Sequence, residues 1–121
     1  MYQVIYHEQD KIEIALEGKV TRKEMQEVNH QLESLCKMYP KINVLLDTMN
    51  ADSFDPSVLL EDIRFYKEYS GHLNRMAVVG DGAAKMIANA VDKVADTEIK
   101  GFKDDDIEAA RKWIFPSVLP A

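Results

Sequence analysis

Val4 and Tyr6 alternate with Gln3, Ile5 and His7, and Ile12, Ile14 and Leu16 alternate with Glu13 and Glu17. The turn-prone EQDK separates the two runs. Period-two alternation on either side of a short polar break predicts a β-hairpin with one buried face. After Gly18 the period changes. Met25, Val28, Leu32, Leu35, Cys36 and Tyr39 recur at three- and four-residue steps, which is the stripe of an amphipathic helix. Thr21 is its predicted cap, Glu24 three residues on completes a capping-box pattern, and Pro40 ends it.

The consecutive aliphatics at 42–46 predict a central strand covered on both faces, ended by Asp47 and followed by a polar loop. Pro56 fits the first turn of a second helix, with Asp55 as its cap. Over 57–69 there are two adjacent apolar stripes, Leu59, Ile63 and Tyr66 beside Val58, Phe65 and Tyr69. That arc is wider than a surface helix needs. A strand at 75–79 precedes GDGAAK, which opens a helix carrying Ala83, Ile87, Ala90, Val91 and Val94. A last strand at 97–102 leads to Asp104, Asp105 and Asp106, placed to meet the positive end of a closing helix with Ile107, Ala110, Arg111 and Ile114. The order β-β-α-β-α-β-α-β-α predicts one α/β domain over 1–121, with a mixed, mostly parallel sheet and an antiparallel opening hairpin.

Composition narrows the classes of function. A chain of 121 residues can bury a single core without disulfide or metal staples. A formal charge of −6 spread along the chain argues against nucleic acid, whose phosphates need a basic face. Cys36 is the sole cysteine, so no intramolecular disulfide forms, and beside Leu35 it reads as a buried thiol in a reducing compartment. MYQVIYHEQD has no basic start followed by an apolar core, and no apolar run nears the roughly 18 residues of a membrane span. The expected location is cytoplasmic, with any membrane contact peripheral.

Four segments together carry a family resemblance: YQVIYHEQDKIEIALEGKVT, LLDTMNADSFDPSVLLEDIRF, RMAVVGD and EIKGFKDDDIEAARKWI. In them the chain resembles the SpoIIAA-like branch of the STAS domains, the sulfate-transporter and anti-sigma-factor-antagonist family. The resemblance implies a non-enzymatic binding or regulatory domain. Some relatives are phosphorylation-controlled partners of other proteins, and others are regarded as apolar-ligand or membrane-associating modules. Regulatory members carry an Asp-Ser-Ser-Gly turn before the helix that follows their third strand. Here the turn reads Asp55-Pro56-Ser57-Val58, which places Ser57 near the phosphoacceptor but replaces the first serine and the glycine. A first-turn serine serving only the helix start is the plainer reading.

Other candidate chemistry is sparse. Asp47 at a strand end and Lys100 on the last strand invite comparison with phospho-accepting receivers, but Tyr6-His7 and Val79-Gly80 stand where the Mg²⁺ acids and small hydroxyl belong. Asp47 then reads as a turn or cap residue. Gly80-Asp81-Gly82 lacks both dinucleotide and P-loop signatures, and Asp81 reads as a cap. His7, His30 and His72 are far apart, with no metal-ligand or nucleophile context. No catalytic residue, cofactor or metal is expected. The apolar surplus offers more: the double stripe and the tail at 113–121 predict a binding face of Val58, Leu59, Ile63, Phe65, Tyr66, Tyr69, Met86, Trp113 and Phe115. Its alternatives are packing of the tail on its own core, a homodimer or protein partner, an apolar small molecule, and a lipid surface. Ser57 with Asp55 is the runner-up site, as a phospho-switch.

Overall fold

The aliphatic runs of the chain form the middle of one sheet, and strand alternation divides their side chains between two faces. The computed structural model describes residues 1–80 and 97–116, apart from the Leu59 side chain. The helix expected after GDGAAK, with Asp81 and Met86, lies outside the described residues, as does the tail beyond Pro116. The elements are β1 (Tyr2–Glu8), β2 (Lys11–Val20), α1 (Arg22–Met38), β3 (Ile42–Phe54), α2 (Val58–Tyr69), β4 (Leu73–Val79), β5 (Glu98–Phe102) and α3 (Ile107–Ile114). The five strands lie in the order β1-β2-β3-β4-β5. β1 runs antiparallel to β2 and every later pair is parallel, as the strand and helix order implies.

Ile12, Ile14, Leu16, Val44, Leu46 and Met76 point to one face, where they pack with Met25, Val28, Leu32, Leu35 and Cys36 of α1 and with Val58, Phe65 and Tyr66 of α2. Leu45, Ala77 and Val79 point to the other, against Ala110 and Ile114 of α3. Burial of the Cys36 thiol, with the Glu33 carboxylate nearby, pushes its pKa up to about 11, so it is a protonated core residue. Thr21 caps α1 by accepting the Glu24 N–H at 3.2 Å. The reciprocal half of the capping box is absent, because the Glu24 carboxylate takes the Met1 ammonium instead.

Three further expectations change. The hairpin forms, but neither strand has a single buried face: β1 is exposed at every position except the half-buried Tyr2, and β2 is buried on both faces from Ile12 to Leu16. The cause is position, since β1 is the sheet edge and β2 lies inside it. β3 does not end at Asp47. It runs on to Phe54, pairing Asn50 to Phe54 with Glu17 to Val20 across two register shifts, because a ten-residue β2 offers backbone partners whatever side chains follow. α2 begins at Val58 rather than at Pro56, and Asp55 acts one turn earlier by accepting the Ser57 N–H at 2.9 Å.

Gly80 closes β4 at φ +124°, a conformation open to glycine. A Cβ there would strike Thr48 Oγ1 and lie 3.1 Å from the Thr48 carbonyl carbon and 3.2 Å from the Met49 nitrogen. Thr48 is itself fixed, donating to the Val79 carbonyl at 2.7 Å. Gly80→Ala is therefore expected to lower the unfolding free energy by about 2 kcal/mol or more. Urea denaturation checks this, and a loss under half that size would show that the backbone relaxes.

Candidate functional site

The sheet separates the residues proposed as one apolar face. Val58, Phe65 and Tyr66 are buried in the core between α2, α1 and the sheet, with Phe65 only 1 % exposed. Tyr69 stacks on Phe65 at 5.4 Å between ring centroids, and both Tyr69 and Ile63 are half-buried. Trp113 and Phe115 lie on the opposite side of the sheet, around α3. The wide arc of α2 thus faces two neighbours, the sheet and α1, and its large side chains fill the space between them.

The seam between α1 and α2 is also polar. Glu61, 1 % exposed, accepts from Asn29 at 3.2 Å and from Arg64 at 2.7 Å, and Arg64 reaches Glu33 and Glu68 as well. Arg64 and Asn29 hold the Glu61 carboxyl below its ordinary range. Asp62 next to it behaves oppositely: burial, with Glu61 beside it, raises its pKa from 3.8 to about 7. The folded chain then holds a proton that the unfolded chain has released, so this stability is full below pH 3.8 and is lost as pH rises through about 7. Asp62→Asn is expected to gain on the parent chain across that window, with the two urea midpoints further apart at pH 8 than at pH 5. A constant separation would refute the linkage.

Among the described residues the other face is thinly covered. α3 has eight residues, and a helix about 10 Å wide shields only two or three strands of a sheet roughly 19 Å across. It rests on β3, β4 and β5, and among the described residues the β1 side is open. A register shift between Val4 and Tyr6 inserts Ile5 as a bulge, and a bulge turns neighbouring side chains toward one face. Ile5 and Tyr6, 47 % and 49 % exposed, line a shallow groove of about 380 Å³ with Glu13, Arg111, Lys112 and Phe115. Tyr6 meets Phe115 edge-on at 5.1 Å. At its base Arg111 forms a two-pronged pair with Glu13, Nε to Oε1 at 3.0 Å and Nη2 to Oε2 at 2.9 Å, and also donates to Glu108 at 2.7 Å. Of these residues the sequence pattern marks only Phe115 as part of a binding face. The consecutive Val4, Ile5 and Tyr6 were the available signal, since three apolar residues in a row break the alternation of a half-buried strand.

Asp47 accepts the Met49 N–H at 2.9 Å inside the continuing β3, at its register shift against β2, so it bonds local backbone but does not sit in the turn expected of it. The Ser57 hydroxyl donates to Asp55 Oδ1 at 2.7 Å, so the one carboxylate occupies both the Ser57 N–H and its Oγ. Those two bonds hold the Asp55 carboxyl below its usual range. A phosphate on Ser57 would meet that charge at close range. His7 lies on β1, His30 on α1 and His72 between α2 and β4, scattered as their spacing implied. Among the described residues no helix is long and apolar enough to cross a membrane.

Comparison with known proteins agrees with this architecture. The chain is similar to a crystal structure of an uncharacterized DUF3478-family protein with a SpoIIAA-like fold from Shewanella loihica. The two share 21 % identity and a TM-score of 0.69, over 94 % of this chain and 92 % of that one. At that identity the likeness speaks for the fold. No curated protein matches. The SpoIIAA-like family model matches residues 11–115, from the start of β2 through α3, and the chain belongs to the SpoIIAA-like family.

Proposed function

We propose that this domain is a non-enzymatic binding module that engages a protein partner through the open face of its sheet. Apolar side chains of the partner would seat in the groove of Ile5, Tyr6 and Phe115. The observation that carries the reading is the groove itself, three apolar side chains on a face that α3 leaves uncovered. Two facts favour a protein as occupant. β1 is the sheet edge, so an extended segment of a partner can pair with its backbone while placing alternate side chains in the groove. Domains of the SpoIIAA-like family, which includes anti-sigma-factor antagonists, commonly act by contact with other proteins. A small apolar molecule or a lipid chain suits the site less well, because an open groove leaves much of such a ligand in water.

Selection of a random peptide display library on the purified chain tests this. Peptides with an apolar consensus are expected to be enriched, and to be lost on Ile5→Asp, a change at an exposed position. No enrichment, or enriched peptides that bind the Ile5→Asp chain equally well, would sink the proposal.

A further inference from the structure

On the far side of α3 the same sheet face carries two cations over aromatic rings. Arg75 of β4 places its guanidinium carbon 5.1 Å from the centroid of the Trp113 ring. Lys100 of β5 places Nζ 5.4 Å from the Phe102 centroid and 5.8 Å from that of Trp113. Arg75 Nη1 also donates to the Trp113 carbonyl at 3.0 Å. Glu98 is the cross-strand neighbour of Arg75 in the sheet register, yet the guanidinium turns to Trp113 instead. Among the described residues neither cation has a carboxylate partner, whereas Arg64 and Arg111 each have more than one. Ring contacts orient a cation without neutralising it. In a chain of net charge −6 these are two neighbouring cations, with Glu98 on the adjoining strand, and ring contacts hold their side chains in place.

We infer that Arg75, Lys100, Phe102 and Trp113 form the docking point for an acidic segment of the protein partner. The inference rests on the partner reading given above and adds its charge. One or two carboxylates on an otherwise apolar strand would pair with Arg75 and Lys100, while apolar neighbours lie on Trp113 and Phe102. A long polyanion fits poorly, because Asp104, Asp105 and Asp106 follow β5 almost directly and would repel a continuous row of phosphates.

Trp113 is the single tryptophan of the chain, so its emission reports this cluster alone. The full chain is titrated with the peptide acetyl-Glu-Leu-Asp-Leu-Glu-amide, with its Gln and Asn counterpart, and with a thymidine oligonucleotide. A saturable emission change with the acidic peptide is expected, weakened by added salt and about ten-fold by Lys100→Gln or Arg75→Gln. Lys100 is exposed, so its replacement leaves the fold intact, and an unchanged urea midpoint verifies that. No saturation below about 5 mM, an equal response to the amide counterpart, or undiminished binding by both variants overturns the inference. A stronger response to the oligonucleotide also overturns it, in favour of phosphate. If Ile5-dependent peptides are recovered from the library while this titration fails, only the charge assignment falls. If both fail, the partner reading falls with it.

Discussion

Replacing Arg111 with leucine is expected to destabilise the domain by about 3 kcal/mol at neutral pH, because the change strands the Glu13 carboxylate in the core. Glu13 is 2 % exposed and Arg111 38 % exposed, so the pair is buried on its acidic side and reachable by water on its basic side. The two parallel bonds offset the desolvation of Glu13 only while both are present. One further result separates this cause from lost packing. The double change Glu13→Leu with Arg111→Leu is expected to recover most of the parent stability, because two apolar side chains of similar bulk can fill the site. Urea unfolding of the parent, both single variants and the double variant forms the cycle that checks it. A double variant no more stable than Arg111→Leu alone would show that the ion pair is not the cause.

That pair joins positions 98 residues apart, and it shows where sequence reading runs out. Local features were accessible: the α1 stripe, the Thr21 cap, the strand order and the antiparallel opening follow from spacing within one element or from the sequence of elements. Contacts between elements were not. Glu13 in an alternating strand looks like a solvent residue until Arg111 is known to cover it. The extension of β3 past Asp47 depends on backbone pairing with β2, which no side-chain pattern encodes. The expected apolar face is divided for a related reason. An apolar surplus can be counted along the chain, but whether two stripes share a face depends on which side of the sheet each helix lies. α2 and Trp113 are on opposite sides, and the run Val4, Ile5 and Tyr6 breaks the alternation without telling that its strand is the exposed sheet edge.

Phe65→Ala is expected to have the largest effect on stability, a loss of about 3 to 5 kcal/mol, the range for removing a fully buried aromatic side chain. Phe65 lies between Tyr66, edge-on at 5.7 Å, and Tyr69, stacked at 5.4 Å, so its removal opens a cavity and ends both ring contacts. Tyr66 cannot swing in to fill the gap without giving up the contact of its hydroxyl with Met76 Sδ at 3.4 Å. Leu60 on the same helix is the internal control. It is 57 % exposed, and Leu60→Ala should change stability by less than about 0.5 kcal/mol. The contrast separates two roles for α2. If its apolar arc served mainly as a binding surface, Phe65→Ala would leave the urea midpoint nearly unchanged and abolish recognition of the selected peptides. With the arc consumed in the core, the midpoint should fall sharply. Phe65→Leu, which keeps most of the volume, should restore much of it and bind the peptides as the parent does. Loss of peptide binding in a stably folded Phe65→Leu chain would move the site back to α2.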